Sequence, residues 1–225
     1  MSDTQTPQPP DGHLHSLLDP EHCAVLLQEL QEGVVGSASG LPELAQAVQE
    51  SALIPNALMV VQAARRLEVP VVHCTAENIA QGFGANTNAR LFAAARKRGM
   101  DNLPGSDSVQ PITAVAPVDS DIVLPRLHGL SPLTGSSLDS LLRNQGIRTL
   151  VVMGVSLNLA IPNLVFDAVN RAYRVVVVSD AVAGVPMEYG RQVVQHSLSL
   201  VSTVRTSEEI VAAWSSYQGN DLLPG

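Results

Sequence analysis

Aromatic side chains are scarce in this sequence, at 3% of 225 residues, and charged side chains make up only 15%. Because 45% of the chain is hydrophobic and the mean hydropathy is +0.17, disordered and coiled-coil proteins are excluded. Cations are scarcer than anions, 13 against 21, and the formal charge is −8. No basic run exceeds Arg96-Lys97-Arg98, which argues against nucleic acid as a partner. There are two cysteines, Cys23 and Cys74, each in an apolar run and not in spaced pairs. That pattern suits buried thiols in a reducing compartment and excludes a disulfide framework. No apolar stretch reaches the roughly 18 residues of a membrane span, and residues 1–20 are polar and Pro-rich, without the basic and apolar regions of a secretion signal. We therefore expect a cytoplasmic protein without membrane contact, a flexible tail over 1–20 and one domain over 21–225.

What is present is an alternation of short aliphatic runs and helical patterns. Strands are expected at 24–28, 71–74, 122–124, 149–153 and 174–178, with a short edge strand at 201–204. Helices are expected at 57–67, 86–98, 136–144, after Asn158 with Pro162 in the first turn, at 188–200, and from a capping box at Thr206-x-x-Glu209 through Trp214. Residues 100–118, rich in Pro, Gly, Ser and Asp, read as a surface loop. Strands alternating with helices make a parallel sheet covered on both faces, and in such sheets ligands bind beyond the carboxyl ends of the strands. That rule selects Glu29, residues 73–77, Arg126 and residues 154–160. The glycines around Gly33 and the Gly82-Phe-Gly84 stretch lack the placement of a phosphate-binding loop, so no nucleotide cofactor is expected.

The segment Val151-Val-Met-Gly-Val-Ser-Leu-Asn-Leu-Ala160, followed by Asp167-Ala168, Tyr173 and Val175-Val-Val-Val-Ser-Asp-Ala181, resembles the isochorismatase-like cysteine hydrolase family. The likeness continues in order. Ala24-Val-Leu-Leu-Gln-Glu-Leu-Gln31 is similar to the family's first strand, and Leu124-Pro-Arg126 with Gly135-Ser136 and Leu138-Asp139 is similar to its lysine segment. The resemblance implies a Rossmann-like three-layer α/β/α sandwich with a six-stranded, mostly parallel sheet in the order 3-2-1-4-5-6. It also implies a small-molecule ligand and a homo-oligomer.

All three side chains of the family's usual chemistry are replaced. Its aspartate base corresponds to Glu29, its lysine to Arg126 if one residue is inserted before Gly135 and to Leu127 if not, and its nucleophilic cysteine to Ala160. A methyl group cannot attack a carbonyl, so the covalent thiol route is not expected. Cys74 is read as a buried small hydrophobe and not a displaced nucleophile. Gly154, Val155, Ser156 and Asn158 are assigned to the pocket turn, where the family often has a cis peptide, and His73 is assigned to the pocket wall. His73 and His128 are read as packing or hydrogen-bonding groups. The Asp-x-His spacing of the family's metal-dependent members is missing and His13-Leu-His15 lies in the tail, so no metal is expected.

Glu29 and Arg126 are expected to form an ion pair close to Ala160. Three functions remain open at this stage. The first is a binding or regulatory protein that keeps the pocket without cysteine hydrolysis. The second is a noncovalent hydrolase using Glu29 as acid or base, a route the resemblance allows because family members acting on isochorismate dispense with the cysteine. The third is a structural or partner-binding protein with a closed pocket.

Overall fold

The computed structural model describes residues 11–37, 39–100 and 102–218. Six strands form one sheet: β1 (Cys23–Gln28), β2 (Val71–Ala76), β3 (Ile122–Arg126), β4 (Thr149–Val155), β5 (Arg174–Ala183) and β6 (Thr203–Arg205). Their order is β3-β2-β1-β4-β5-β6, and every adjacent pair is parallel. β1 and β4 are buried throughout because they are central and covered on both sides, which is why their sequences run apolar without alternation.

Alternate residues of β1 feed two cores. Cys23, Val25 and Leu27 pack with α1 (Asp11–Leu17), α2 (Glu32–Val35), α3 (Pro42–Glu50), α4 (Leu53–Arg66) and, later in the chain, Ile210 and Trp214. Ala24 and Leu26 face the other layer, which α6 (Pro132–Gly135), α7 (Leu138–Asn144), α8 (Ala160–Asn170) and α9 (Met187–His196) cover. Between β2 and β3 lies α5 (Arg90–Lys97), which buries no residue, and α10 (Ser207–Gln218) closes the chain. The capping box at the start of α10 forms as expected: the Thr206 N–H donates to Glu209 Oε2 at 2.8 Å, and the Glu209 N–H donates to Thr206 Oγ1 at 3.3 Å.

The structure corrects several expectations. Of the tail expected over 1–20, residues 1–10 lie outside the described residues, but residues 11–17 form α1. Leu14, Leu17 and Leu18, spaced for one helical face, are buried, and the Leu18 carbonyl accepts the Trp214 Nε1–H at 2.9 Å. The expected surface loop at 100–118 contains two short 3-10 turns and buries Val109, Ile112 and Val115, with Pro111 bridged to Gln31. β5 runs past the expected stop at Ser179-Asp180 because those polar groups have partners. Asp180 accepts the Ser207 N–H and hydroxyl, and its carbonyl accepts from Asn56.

Candidate active site

Strand order 3-2-1-4-5-6 places a switch point between β1 and β4, where the chain leaves the sheet in opposite directions and a crevice opens. A cavity of about 670 Å³ occupies it. Its floor is assembled from the ends of β1, β2, β3 and β4, and its outer wall is α5 with the segments on either side.

Glu29 follows the last residue of β1. Its φ is +53°, in the left-handed region that costs a residue with a Cβ about 1–2 kcal/mol, and its N–H donates to the Cys74 carbonyl at 2.9 Å. Arg126 ends β3 opposite Ala76, and its Nη2 donates to Glu29 Oε1 at 2.5 Å. A second donor reaches the same oxygen: Nε2 of the fully buried Gln28, at 2.9 Å. Both contacts fall on Oε1, and Oε2 has no partner among the described residues. The other arm of the Arg126 guanidinium donates to the Gly129 carbonyl. Gly135 makes room for this arginine, since a Cβ there would strike the Arg126 stem. Leu127 also borders the cavity but is more than a third exposed, whereas Arg126 is 8% exposed.

Ala160 is the first residue of α8, is 5% exposed and lines the same cavity as Glu29, Arg126 and Ser156. Its position brings the positive end of the α8 dipole to the cavity, an environment suited to an anion. The Val155–Ser156 peptide is cis.

His73, Gly154, Val155 and Asn158 do not line the cavity. His73 points from β2 toward α4, where its Nε2 lies 3.1 Å from Asp121 Oδ2. Asp121 also receives Arg65 at 2.5 Å. Burial pushes the His73 imidazole below its usual range, against the opposing pull of Asp121. Burial alone would raise the Asp121 carboxyl, but the hydrogen bonds from Arg65 and His73 outweigh it and hold the group below the usual carboxylate value. Val155 is buried in the core, and Asn158 clamps Val185 through both ends of its amide. Gly154, at φ +110°, lies directly over the Gln28 backbone, where no side chain fits. These residues support the floor without facing the ligand space.

Neither thiol reaches the cavity. Burial raises Cys74 to about 12, with a smaller lowering effect from Arg126 and a smaller raising one from Glu29. Burial and then Asp19 raise Cys23 to about 12 as well. Burial thus disfavours the thiolate at both positions.

Sequence reasoning missed the outer wall. Leu91, Phe92 and Ala95 share one face of α5, and that face turns toward the cavity instead of a core. Arg96 and Arg98 line the cavity with it.

In this α/β sandwich a carboxylate, a cation and a helix N-terminus meet at the β1/β4 switch point. The isochorismatase domain family matches this chain over residues 23–209, and the chain belongs to that family. It is 39% identical over 70 residues to the ureidoacrylate amidohydrolase RutB of Methylorubrum extorquens, a stretch covering 31% of this chain and 28% of that protein. It is 30% identical over 101 residues to the uncharacterized isochorismatase family protein YecD of Escherichia coli O157:H7, covering 44% of this chain and 53% of that one. These matches span well under two thirds of either relative. Among solved structures, a cysteine hydrolase from Pseudomonas syringae pv. phaseolicola 1448A shares the fold with a TM-score of 0.75 at 22% identity, over 96% of this chain and 99% of that one. N-carbamoylsarcosine amidase from Thermoplasma acidophilum superposes with a TM-score of 0.65 at 25% identity, over 83% and 97% of the two chains.

Proposed function

We propose that this protein is an isochorismatase-family member that binds a small molecule in the β1/β4 cavity and does not act as a cysteine hydrolase. The observation that carries this reading is Ala160 at the first position of α8, lining the cavity where the resemblance places the nucleophilic thiol. The burial of Cys23 and Cys74 supports it, because neither supplies a thiolate to the cavity. A pocket of about 670 Å³ argues against a purely structural protein with a closed site.

A second reading has its own support. Glu29 has one oxygen tethered by Arg126 and Gln28 and the other unpartnered among the described residues, the arrangement of an oriented proton donor or acceptor. In a noncovalent hydrolase Glu29 would exchange a proton with the substrate while Arg126 balanced its charge. The two readings differ in turnover alone. We further propose a cytoplasmic homo-oligomer, in line with the exposed Leu159, Phe166 and Leu200. A monomeric mass by light scattering at micromolar concentration would refute the oligomer.

The decisive test is hydrolysis of N-carbamoyl compounds and nicotinamide with and without iodoacetamide. The expected result is no thiol-dependent turnover. Ala160→Cys alone should remain poor, since Glu29 carries its oxygens about 1.5 Å further from the backbone than aspartate would, and a misplacement of about 1 Å costs ~100-fold. Ala160→Cys with Glu29→Asp should do better. Amide hydrolysis by the unmodified protein that vanishes in Cys74→Ser would overturn the reading.

A further inference from the structure

A second cavity, of about 610 Å³, lies at the amino ends of the strands and shares no lining residue with the first. Val69 and Pro70 lead into β2, Ser120 into β3 and Ile147 into β4, and α4 and α7 end beside them. Since β2 rises about 3.3 Å per residue from Val71 to Ala76, the two cavities are roughly 20 Å apart. The floor of this one is apolar and buried, made of Val72, Leu138 and Ile147. Its rim is apolar and wet, with Ile122 at 40% and Leu141 at 42% exposure. Such a volume and lining suit an organic molecule of modest size.

The electrostatics of this cavity have one sign. Only two charged residues line it, Arg65 and Glu68. Arg65 is committed to Asp121, donating from Nε at 3.3 Å and from Nη2 at 2.5 Å, and Nη2 also donates to the Ala116 carbonyl at 3.0 Å. The Glu68 carboxylate has no partner among the described residues. Glu68 and Val69 bring the carbonyl end of α4 to the cavity, and Asn144 and Gln145 bring that of α7, so both helix dipoles add negative potential. Arg66 and Arg143, the other cations of those last turns, do not line it. Glu68 also stands at φ +58°, as the left-handed residue that closes α4: its N–H donates to the Arg65 carbonyl at 3.2 Å and the Val69 N–H to the Ala64 carbonyl at 3.0 Å. At the same position α5 and α7 place Gly99 and Gly146, and α8 the small Ala172, so a carboxylate is kept here against the backbone's preference for glycine.

We propose that the amino-end cavity is a second ligand site, for a hydrophobic primary amine whose ammonium group pairs with Glu68 and whose apolar body lies on Val72, Ile122 and Leu138. It stands apart from the small-molecule reading of the β1/β4 cavity and does not depend on it.

The probes are 4-phenylbutylamine, 4-phenylbutanol and 4-phenylbutyrate, one apolar body with a cationic, a neutral and an anionic head, titrated calorimetrically at pH 7 in low salt. The amine should bind about threefold to tenfold more tightly than the alcohol, the difference between a charge-assisted and a neutral contact at a partly exposed site, and the acid most weakly. Glu68→Gln should erase the amine's advantage, leave alcohol binding unchanged and remove the salt dependence. Glu43→Gln removes an equal charge from α3, outside both cavities, and should change nothing. Ser120→Phe, at an exposed lining position, fills the cavity and should weaken amine and alcohol together. Amine binding that survives both Glu68→Gln and Ser120→Phe belongs elsewhere on the molecule, the carboxylates of the β1/β4 cavity included, and overturns the site. So does an alcohol or acid that binds as tightly as the amine. If Ser120→Phe halves the mass measured by light scattering, a second copy of the chain covers this cavity and the amine site falls. Failure of all three probes at about 10 mM overturns it as well. None of these outcomes touches the reading of the first cavity, which the amide-hydrolysis assay tests separately.

Discussion

Replacing Arg126 by methionine should cost the fold about 3 kcal/mol, far more than removing a surface arginine. The pair's charges sit about 4 Å apart when the guanidinium nitrogen is 2.5 Å from Glu29 Oε1, which at an effective dielectric of 20 is worth about 4 kcal/mol. The side chains are only 10% and 16% exposed, so each ion has also lost most of its hydration, and removing one partner leaves the other charge stranded. Losing the bond to the Gly129 carbonyl adds to the deficit, whereas a methionine stem recovers part of the packing. Glu29→Gln should cost less, about 1–2 kcal/mol, because an amide oxygen still accepts from Arg126. The double variant Glu29→Gln with Arg126→Met should be well below additive, since no stranded charge remains. Urea unfolding followed through Trp214, the only tryptophan and 1% exposed, reads these values directly. At a slope of about 2 kcal/mol/M, Arg126→Met moves the midpoint down by about 1.5 M. A shift under about 0.25 M, or strict additivity of the two substitutions, would show that the ion pair does not exist in solution.

Two further outcomes follow from groups away from the cavity. The folded state holds His73 below its usual range, so the unfolded chain takes up the proton first. The stability this group contributes is fully present above about pH 6.5 and is lost as pH falls through its folded value. Asp121 behaves alike lower down, losing its contribution as pH falls below about 3.8. Urea midpoints at pH 7.5 and 5.5 should therefore differ more in the native protein than in His73→Gln, and equal differences would refute the assignment. Leu18→Ala should cost about 2–4 kcal/mol, since Leu18 is fully buried beside Trp214. An unchanged midpoint would mean that residues before β1 are a loose tail after all.

The sheet was legible because parallel strands buried on both faces carry an apolar run that side-chain pattern alone reveals, and β1 and β4 are such runs. Glu29 and Arg126 could be placed because each lies at the end of a strand, and Ala160 because it opens the helix that follows β4. What escaped was set by partners distant in sequence. His73 was drawn away from the cavity by Asp121, 48 residues on, and Asn158 by Val185, 27 residues on. Ser179 and Asp180 looked like a strand terminator because their neighbours on α10 and α4 were not visible. The helix of residues 11–17 did leave a signal, the Leu14, Leu17, Leu18 spacing, which the polar composition around it concealed. The outer wall left none, since a helix with an apolar face looks the same whether that face meets a core or an empty space.

The floor of the cavity is made of main chain. The Glu29 N–H bonds the Cys74 carbonyl, the Glu77 N–H bonds the Arg126 carbonyl, and Gly154 lies on Gln28 with no side chain between them. None of those contacts asks what the side chain at 29, 126 or 160 is. Reactive groups can thus be exchanged on an unaltered platform, as a workbench keeps its shape when its tools are changed, provided that Glu29 and Arg126 change as a pair. A lineage on this scaffold is free to give up bond cleavage for recognition, or to regain it, without passing through an unfolded intermediate sequence.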